Sequence, residues 1–168
     1  MKKYIDCDGV ILDTENGLFD EYCRLKKANP GLKRKMYLLE MDWNYWLEQA
    51  LVLNDAINIL KSYDPNDTDI LTKVHSLKEA IAKIEYFRRH GVKNNVIVVP
   101  SEFQKSQVVG ASGNILVDDS DSNLTDWSVS DGFSFNFGKR ESQFPKVDSL
   151  EDVLNPDKAK VLLKRFNK

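Results

Sequence analysis

The sequence predicts an α/β fold in which a mostly parallel sheet is layered between helices, with a small helical cap inserted after the first strand. Three observations predict it. Short apolar runs alternate with longer stretches of helical periodicity, the rhythm of strands joined by helical crossovers. Two of those runs end in acids, at Asp6 and at Asp118, where strand ends of an open sheet meet ligands. One long segment, residues 14–62, carries helical patterns and no strand-like run.

In chain order, residues 4–7 form the first strand and residues 69–74 the second. Residues 96–99, four apolar β-formers closed by Pro100, give the third; 114–117 give the fourth, and 133–137 an edge strand. Ser76-Leu77-Lys78-Glu79 opens a helix as a capping box, and Leu77, Ile81, Ile84 and Phe87 follow at helical spacing until Gly91 stops it. A shorter helix starts near Glu102, and the tail 156–166 offers Val161, Leu162 and Phe166 for docking on the core. Within 14–62, Asn29-Pro30-Gly31 reads as a turn between two helices. The first carries Leu18, Phe19, Tyr22 and Leu25; the second carries Trp46, Leu47, Ala50, Leu51, Leu53 and Ile57. The expected division is therefore a core of 1–13 and 63–168 with a helical cap of 14–62.

With 168 residues, 42% hydrophobic and 30% charged, the chain suits one globular unit carrying a small insertion. Its 24 basic and 26 acidic residues give a net charge of -2, so no basic field holds a nucleic acid polymer. A small phosphorylated substrate remains open. Cys7 and Cys23 are too few for a disulfide framework and belong to no spaced metal cluster, which suits a reducing cytoplasm. The first residues meet charge after two apolar positions, and no apolar run approaches the ~20 residues of a membrane span. Neither export nor membrane insertion is expected.

The chemistry concentrates in Asp6-Cys7-Asp8-Gly9-Val10. Two carboxylates two residues apart at a strand end can face one site beyond the sheet, and Gly9 lets the backbone turn sharply. Taken alone, the pattern also suits a simple turn or a calcium loop. The calcium loop fails, because Val10, Ile11 and Leu12 stand where further oxygen ligands are required. The second stretch is Ile115-Leu116-Val117-Asp118-Asp119. Asp118 brought beside Asp6 gathers negative charge that only a cation makes tolerable, and oxygen ligands completed by phosphate and water point to Mg2+. The alternative is an acidic surface turn. Lys105 could pair with the nucleophile and a phosphate oxygen, or be an ordinary surface lysine, with Lys73 and Lys78 as rivals. Thr72 could donate its hydroxyl to phosphate, or serve only as a β-former.

These four stretches, in this order across nearly the whole chain, resemble the four motifs of the haloacid dehalogenase (HAD) superfamily. The resemblance implies a Rossmann-like three-layer sandwich and a Mg2+-dependent phosphatase. Asp6 would be the nucleophile, Asp8 the general acid and base, and Thr72 and Lys105 the phosphate holders. Asp6, Asp8 through its backbone carbonyl, Asp118 and Asp119 would bind the metal. It implies an aspartyl-phosphate intermediate, with Asp8 holding its proton outside the metal's direct ligands. A second Asp argues against dehalogenation, and a mutase would share the same motifs.

Within the family, Ile70-Leu71-Thr72, the helix around Ala82-Lys83-Ile84-Glu85-Tyr86-Phe87, Lys105-Ser106-Gln107-Val108-Val109 and Ile115-Leu116-Val117-Asp118-Asp119 resemble the small 5'(3')-deoxyribonucleotidases. Lys73-Val74 departs from the hydroxyl residue and proline usual there. A deoxyribonucleotide would then be the substrate, a sugar phosphate the alternative, and an idle Mg2+- or phosphate-binding regulatory domain the non-catalytic reading. In the cap, Trp43, Tyr45 and Trp46 would stack on a base or sugar, or simply fill the core. Lys33-Arg34-Lys35 would meet a second phosphate or form a solvated turn, and His75 and His90 would be structural or exposed.

Overall fold

A computed structural model describes residues 1–138 and 141–164. Seven strands and nine helices follow one another among these residues. The strands are β1 (Lys3–Ile5), β2 (Leu12–Asp13), β3 (Leu51–Val52), β4 (Thr68–Val74), β5 (Val96–Pro100), β6 (Ile115–Asp118) and β7 (Phe133–Asn136). Helices α1 (Glu15–Ala28), α2 (Arg34–Glu40), α3 (Trp43–Gln49) and α4 (Ala56–Ser62) lie between β2 and β4. The others are α5 (Leu77–Arg89), α6 (Lys105–Val108), α7 (Asp121–Val129), α8 (Glu151–Leu154) and α9 (Pro156–Leu163).

Five strands form a parallel sheet in the order β5-β4-β1-β6-β7, and the predicted α/β architecture is the one found. Its central strands β1, β4 and β6 are buried almost throughout, as helix-covered parallel strands are, whereas the edge strand β5 is only partly buried. Alternation along the strands splits the core. Ile5, Ile70 and Val117 join Phe87, Tyr86 and Ala82 of α5 on one side, whereas Tyr4, Leu71 and Leu116 meet Leu124 and Trp127 of α7 on the other. Leu18, Tyr37, Leu38, Trp43 and Leu47 of the inserted helices belong to the first of these clusters, so this segment packs on the sheet side as part of one core.

The insertion departs from its expected form. Residues 14–62 contain a strand, β3, which pairs antiparallel with β2 through Leu12↔Val52 and Asp13↔Leu51. Ala50, Leu51 and Leu53, expected on one helix with Trp46 and Ile57, instead separate α3 from α4. Phe19, one of the apolar residues expected on this first helix, is exposed on α1.

Helix α5 starts where the capping box placed it, with the Ser76 side chain accepting from the Glu79 N–H at 3.1 Å. Its buried face is rotated from the expected one. Leu77 is 75% exposed and Ile81 46%, whereas Glu79, Ala80, Ala82, Lys83, Tyr86 and Phe87 are buried. The short helix expected near Glu102 begins at Lys105. In α9, Leu162 is buried but Val161 is exposed, and Phe166 lies outside the described residues.

Candidate functional site

The chain runs outward from β1 through β4 to β5, then returns to β6 on the other side of β1. This reversal opens a crevice at the carboxyl ends of β1 and β6, where open α/β sheets bind ligands. The register pairs Ile5 with Val117, so Asp6 and Asp118 leave the sheet side by side. The Asp6 N–H donates to the Val117 carbonyl at 2.9 Å. Beyond it the chain folds back, with the Ile11 and Leu12 N–H groups both donating to the Cys7 carbonyl at 2.9 Å. Gly9 turns this loop at φ 74°, and a Cβ there would collide with the Asp119 carboxylate, so both conformation and space require glycine.

Carboxylate oxygens of Asp6, Asp118 and Asp119 lie within 4.8 Å of one another. Lys105, at the first position of α6 and fully buried, places Nζ 2.6 Å from Asp118 Oδ2 and 2.8 Å from Asp6 Oδ1. Asp118 also accepts from the Ser120 N–H at 2.9 Å and from Asn123 Nδ2 at 3.0 Å. Asp6 Oδ1 has no aligned hydrogen-bond donor, since Lys105 approaches it as a charge contact only.

Burial pushes the Asp6 carboxyl well above its ordinary value. Lys105 pulls it back, and Asp118 and Asp8 push it further up. Burial, then Asp118, Glu15 and Asp8, raise Asp119 to about 7. For Lys105, burial favours the neutral amine, but Asp118 and Asp6 outweigh it and raise the pKa. A buried carboxylate oxygen without a donor, beside an acid whose charge costs this much, suits an oxygen-seeking divalent cation. Asp6, Asp118 and Asp119 could hold Mg2+.

The Asp8 side chain turns away from this cluster. Its Oδ1 accepts from Thr14 Oγ1 at 2.7 Å, and its Oδ2 from Lys83 Nζ at 2.5 Å and Thr72 Oγ1 at 3.2 Å. Lys83, fully buried on α5, also contacts Glu79 Oε1 at 2.8 Å and donates to Thr72 Oγ1 and the Lys73 carbonyl, both at 3.0 Å. Burial alone would neutralise this lysine, but Asp8 and Glu79 outweigh it and hold the ammonium above the ordinary lysine range. Burial likewise favours protonated Asp8. Lys83, Thr14 and Thr72 outweigh it and hold the carboxyl below its ordinary value.

The expectation that Asp8 keeps a proton is therefore corrected, because it faces a buried ammonium. Thr72 sits within β4, two residues before its end, and its hydroxyl is engaged by Asp8 and Lys83. Neither Lys83 nor Thr14 was singled out from the sequence. The signal for Lys83 was its helical face, shared with Ala80, Ala82, Tyr86 and Phe87, all of which are buried.

A cavity of about 170 Å3 opens over these acids, and its lining includes Asp6, Asp8, Asp119, Lys73 and His75 from the sheet side. Glu15, Leu18, Arg34 and Leu38 line it from the inserted helices. Trp43, Tyr45 and Trp46 are not among its lining residues, and of the two readings offered for them the core-filling one describes Trp43. Trp43 is buried, donates Nε1–H to the Leu38 carbonyl at 2.9 Å and lies 5.6 Å from Lys83 Nζ. Tyr45 is exposed and stands edge-on to Trp46, which packs near Gly17. Arg34 and Lys73 line the cavity, as does His75, whose Nδ1 is 3.3 Å from Glu79.

No family model matches the chain, and no curated protein matches it. Solved structures do resemble it. A HAD hydrolase, family IA, variant 3, from Entamoeba histolytica HM-1:IMSS superposes with a TM-score of 0.67 at 11% identity, covering 96% of this chain and 99% of that one. A HAD hydrolase from Bacillus subtilis bound to magnesium gives 0.58 at 14%, covering 92% and 96%. The D,D-heptose 1,7-bisphosphate phosphatase of Burkholderia thailandensis gives 0.52 at 11%, covering 100% of both chains. The chain has the α/β fold of these hydrolases, with a five-stranded parallel sheet flanked by helices. Among the described residues no helix is long and apolar enough to cross a membrane.

Proposed function

We propose that this chain is a Mg2+-dependent phosphomonoester hydrolase working through an aspartyl-phosphate on Asp6. One observation carries the reading: a buried carboxylate at the switch point lies 2.8 Å from a buried lysine and within ligand distance of Asp118 and Asp119. The Asp6 oxygen attacks phosphorus, the new O–P bond forms, and the bond to the leaving alcohol breaks. Asp8 protonates that alcohol and then takes a proton from the water that hydrolyses the intermediate. Because Lys83 holds Asp8 ionised, a monoanionic phosphoryl group supplies the proton Asp8 first needs. Lys105 faces Asp6 and stabilises the transferring charge. A divalent cation held by Asp6, Asp118 and Asp119 would neutralise phosphoryl oxygens when bound.

The segment 14–62 acts as the cap, contributing Arg34 to a phosphate-sized cavity. Deoxyribonucleoside monophosphates follow from the motif likeness, and sugar phosphates are the rival class. The fold neighbour acting on a heptose bisphosphate supports the second. Free Cys7 and Cys23 support a cytoplasmic setting.

The test is phosphate release from p-nitrophenyl phosphate, deoxyribonucleoside 5'- and 3'-monophosphates and sugar phosphates, with Mg2+ and with chelator. Turnover should require Mg2+ and vanish in Asp6→Asn. Mg2+ binding without turnover on any ester would leave a regulatory domain in its place.

A further inference from the structure

His75 lines the catalytic cavity at the carboxyl end of β4, one position past Val74, and the chemistry proposed above gives it no task. Its ring is held in place. The His75 N–H donates to Glu79 Oε2 at 2.7 Å, and Nδ1 of the ring stands 3.3 Å from the same oxygen. Glu79 is 2% exposed, and its other oxygen meets the buried Lys83 ammonium at 2.8 Å. A carboxylate paired in this way only accepts, so Nδ1 carries the hydrogen of its contact. Nε2 is then the nitrogen left for the cavity, and among the described residues no protein group pairs with it. The side chain is 35% exposed, so the ring also meets water.

A phosphomonoester loses its second proton at about pH 6, so the ester met near neutrality is mostly a dianion that brings no proton for its own leaving group. The route from a phosphoryl proton through Asp8 serves only the minor monoanion. Asp8 is itself saturated as an acceptor, since the Thr14 and Thr72 hydroxyls and the Lys83 ammonium occupy both of its oxygens. The other ionisable groups of the cavity do not fill the gap. Asp6 and Asp119 face the proposed cation, Lys73 donates to Gln104 Oε1 at 3.2 Å, and Glu15 stands 4.0 Å from Arg34, whose guanidinium does not part with a proton. His75 is what remains. An imidazole can carry a spare proton and release it near neutral pH.

We propose that His75 is a further catalytic residue of this site, donating the Nε2 proton to the oxygen of the departing alcohol. The proposal rests on the phosphomonoesterase reading and adds to it a proton source for the dianionic ester. As the Asp6 oxygen closes on phosphorus, the bond from phosphorus to the alcohol oxygen breaks. Its electron pair stays on that oxygen, and the Nε2 proton joins it to give the neutral alcohol. His75 is left neutral, with Nδ1–H still on Glu79, and regains its proton from water. Asp8, ionised throughout this step, then takes the proton of the hydrolytic water. Glu79 is a positioning residue, fixing the tautomer that leaves Nε2 for the substrate.

The test sets two leaving groups side by side through kcat/KM, which includes the step that expels the alcohol. One substrate is p-nitrophenyl phosphate, whose phenolate departs without a proton. The other is an alkyl ester, the sugar phosphate or nucleoside monophosphate that the wild type cleaves fastest. His75→Gln should lower the ratio of alkyl to nitrophenyl kcat/KM roughly a hundredfold, the scale of a lost general acid. Both esters meet the same sample, so the ratio is unaffected by any loss of folded protein. His75→Asn, which still offers Glu79 a donor, should show the same split. A ratio within about threefold of the wild type in both variants would make His75 a structural residue and overturn the proposal. So would a wild type that cleaves the nitrophenyl ester and no alkyl ester. A wild type inert on every ester removes the phosphatase reading and this proposal with it.

Discussion

Lys83 is the residue on which the electrostatics of this site turn. It neutralises two acids, Asp8 and Glu79, without itself meeting solvent, and it tethers the Thr72 hydroxyl. Removing one member of a buried charge network leaves the partners uncompensated, which typically costs about 3–5 kcal/mol. Lys83→Met should lose stability on that scale in urea denaturation, and a loss below about 1 kcal/mol would show that the network contributes little. The sequence displayed Asp6, Asp8, Asp118 and Asp119 because each sits beside an apolar run, and Lys105 only through the order of the motifs. It hid Lys83, because a Glu79–Lys83 pair at i,i+4 looks like a solvated surface pair. Asp119 carries a second prediction. Folding raises its pKa from 3.8 to about 7, so between those values the folded chain holds a proton that the unfolded chain has released. Its contribution to stability therefore falls as pH rises through that window. Mg2+ competes with the same proton, so the rise in Tm on adding Mg2+ should be larger at pH 8 than at pH 5. Asp119→Asn should shrink the difference, leaving only what the raised pKa of Asp6 contributes; equal increments at both pH values in the wild type would contradict it.

Among the elements, those whose pattern fixes both type and face were legible, and those set by context were not. The strands β5 and β6 read clearly because each carries an unbroken apolar run, 96–99 and 115–117, bounded by polar or turn residues. The antiparallel pair of β2 and β3 did not, since two-residue strands carry no alternation and exist because the loop after Asp6 brings Leu12 to Val52. Helix α5 was half legible: Ser76 signalled its start, but large residues misled on its face. Leu77 and Ile81 look outward, while small Ala80 and Ala82 allow close packing against the sheet. Ser76→Ala should cost about 1 kcal/mol in urea denaturation through the lost cap. Leu77→Ser, at the very next position, should stay within about 0.5 kcal/mol. If Leu77→Ser proved the costlier of the two, the exposed orientation of this residue would be wrong.

At the scale of the whole molecule, the site belongs to two segments far apart in sequence. The sheet supplies Asp6, Asp8, Lys73 and Asp119, and the inserted helices close the same cavity with Leu18, Arg34 and Leu38. A mostly parallel sheet was readable from the alternation of strands and helices, but not the strand order around β1. Which face of the insertion looks inward was not readable, because the aromatics Trp43 and Trp46 pack in or against the core while, of the basic run 33–35, only Arg34 lines the cavity. Arg34 is more than half exposed and stands 4.0 Å from Glu15, so it is free to turn toward an arriving anion. A charge-assisted contact with phosphate through a solvated arginine is worth roughly tenfold in affinity. If the two segments act as one site, Arg34→Ala should raise KM for a phosphomonoester by about that factor and leave kcat within about twofold, since the residue holds the phosphate without touching the bond that breaks. Arg34→Lys should recover part of the loss. An unchanged KM would mean that the insertion encloses the phosphate site without binding what enters it.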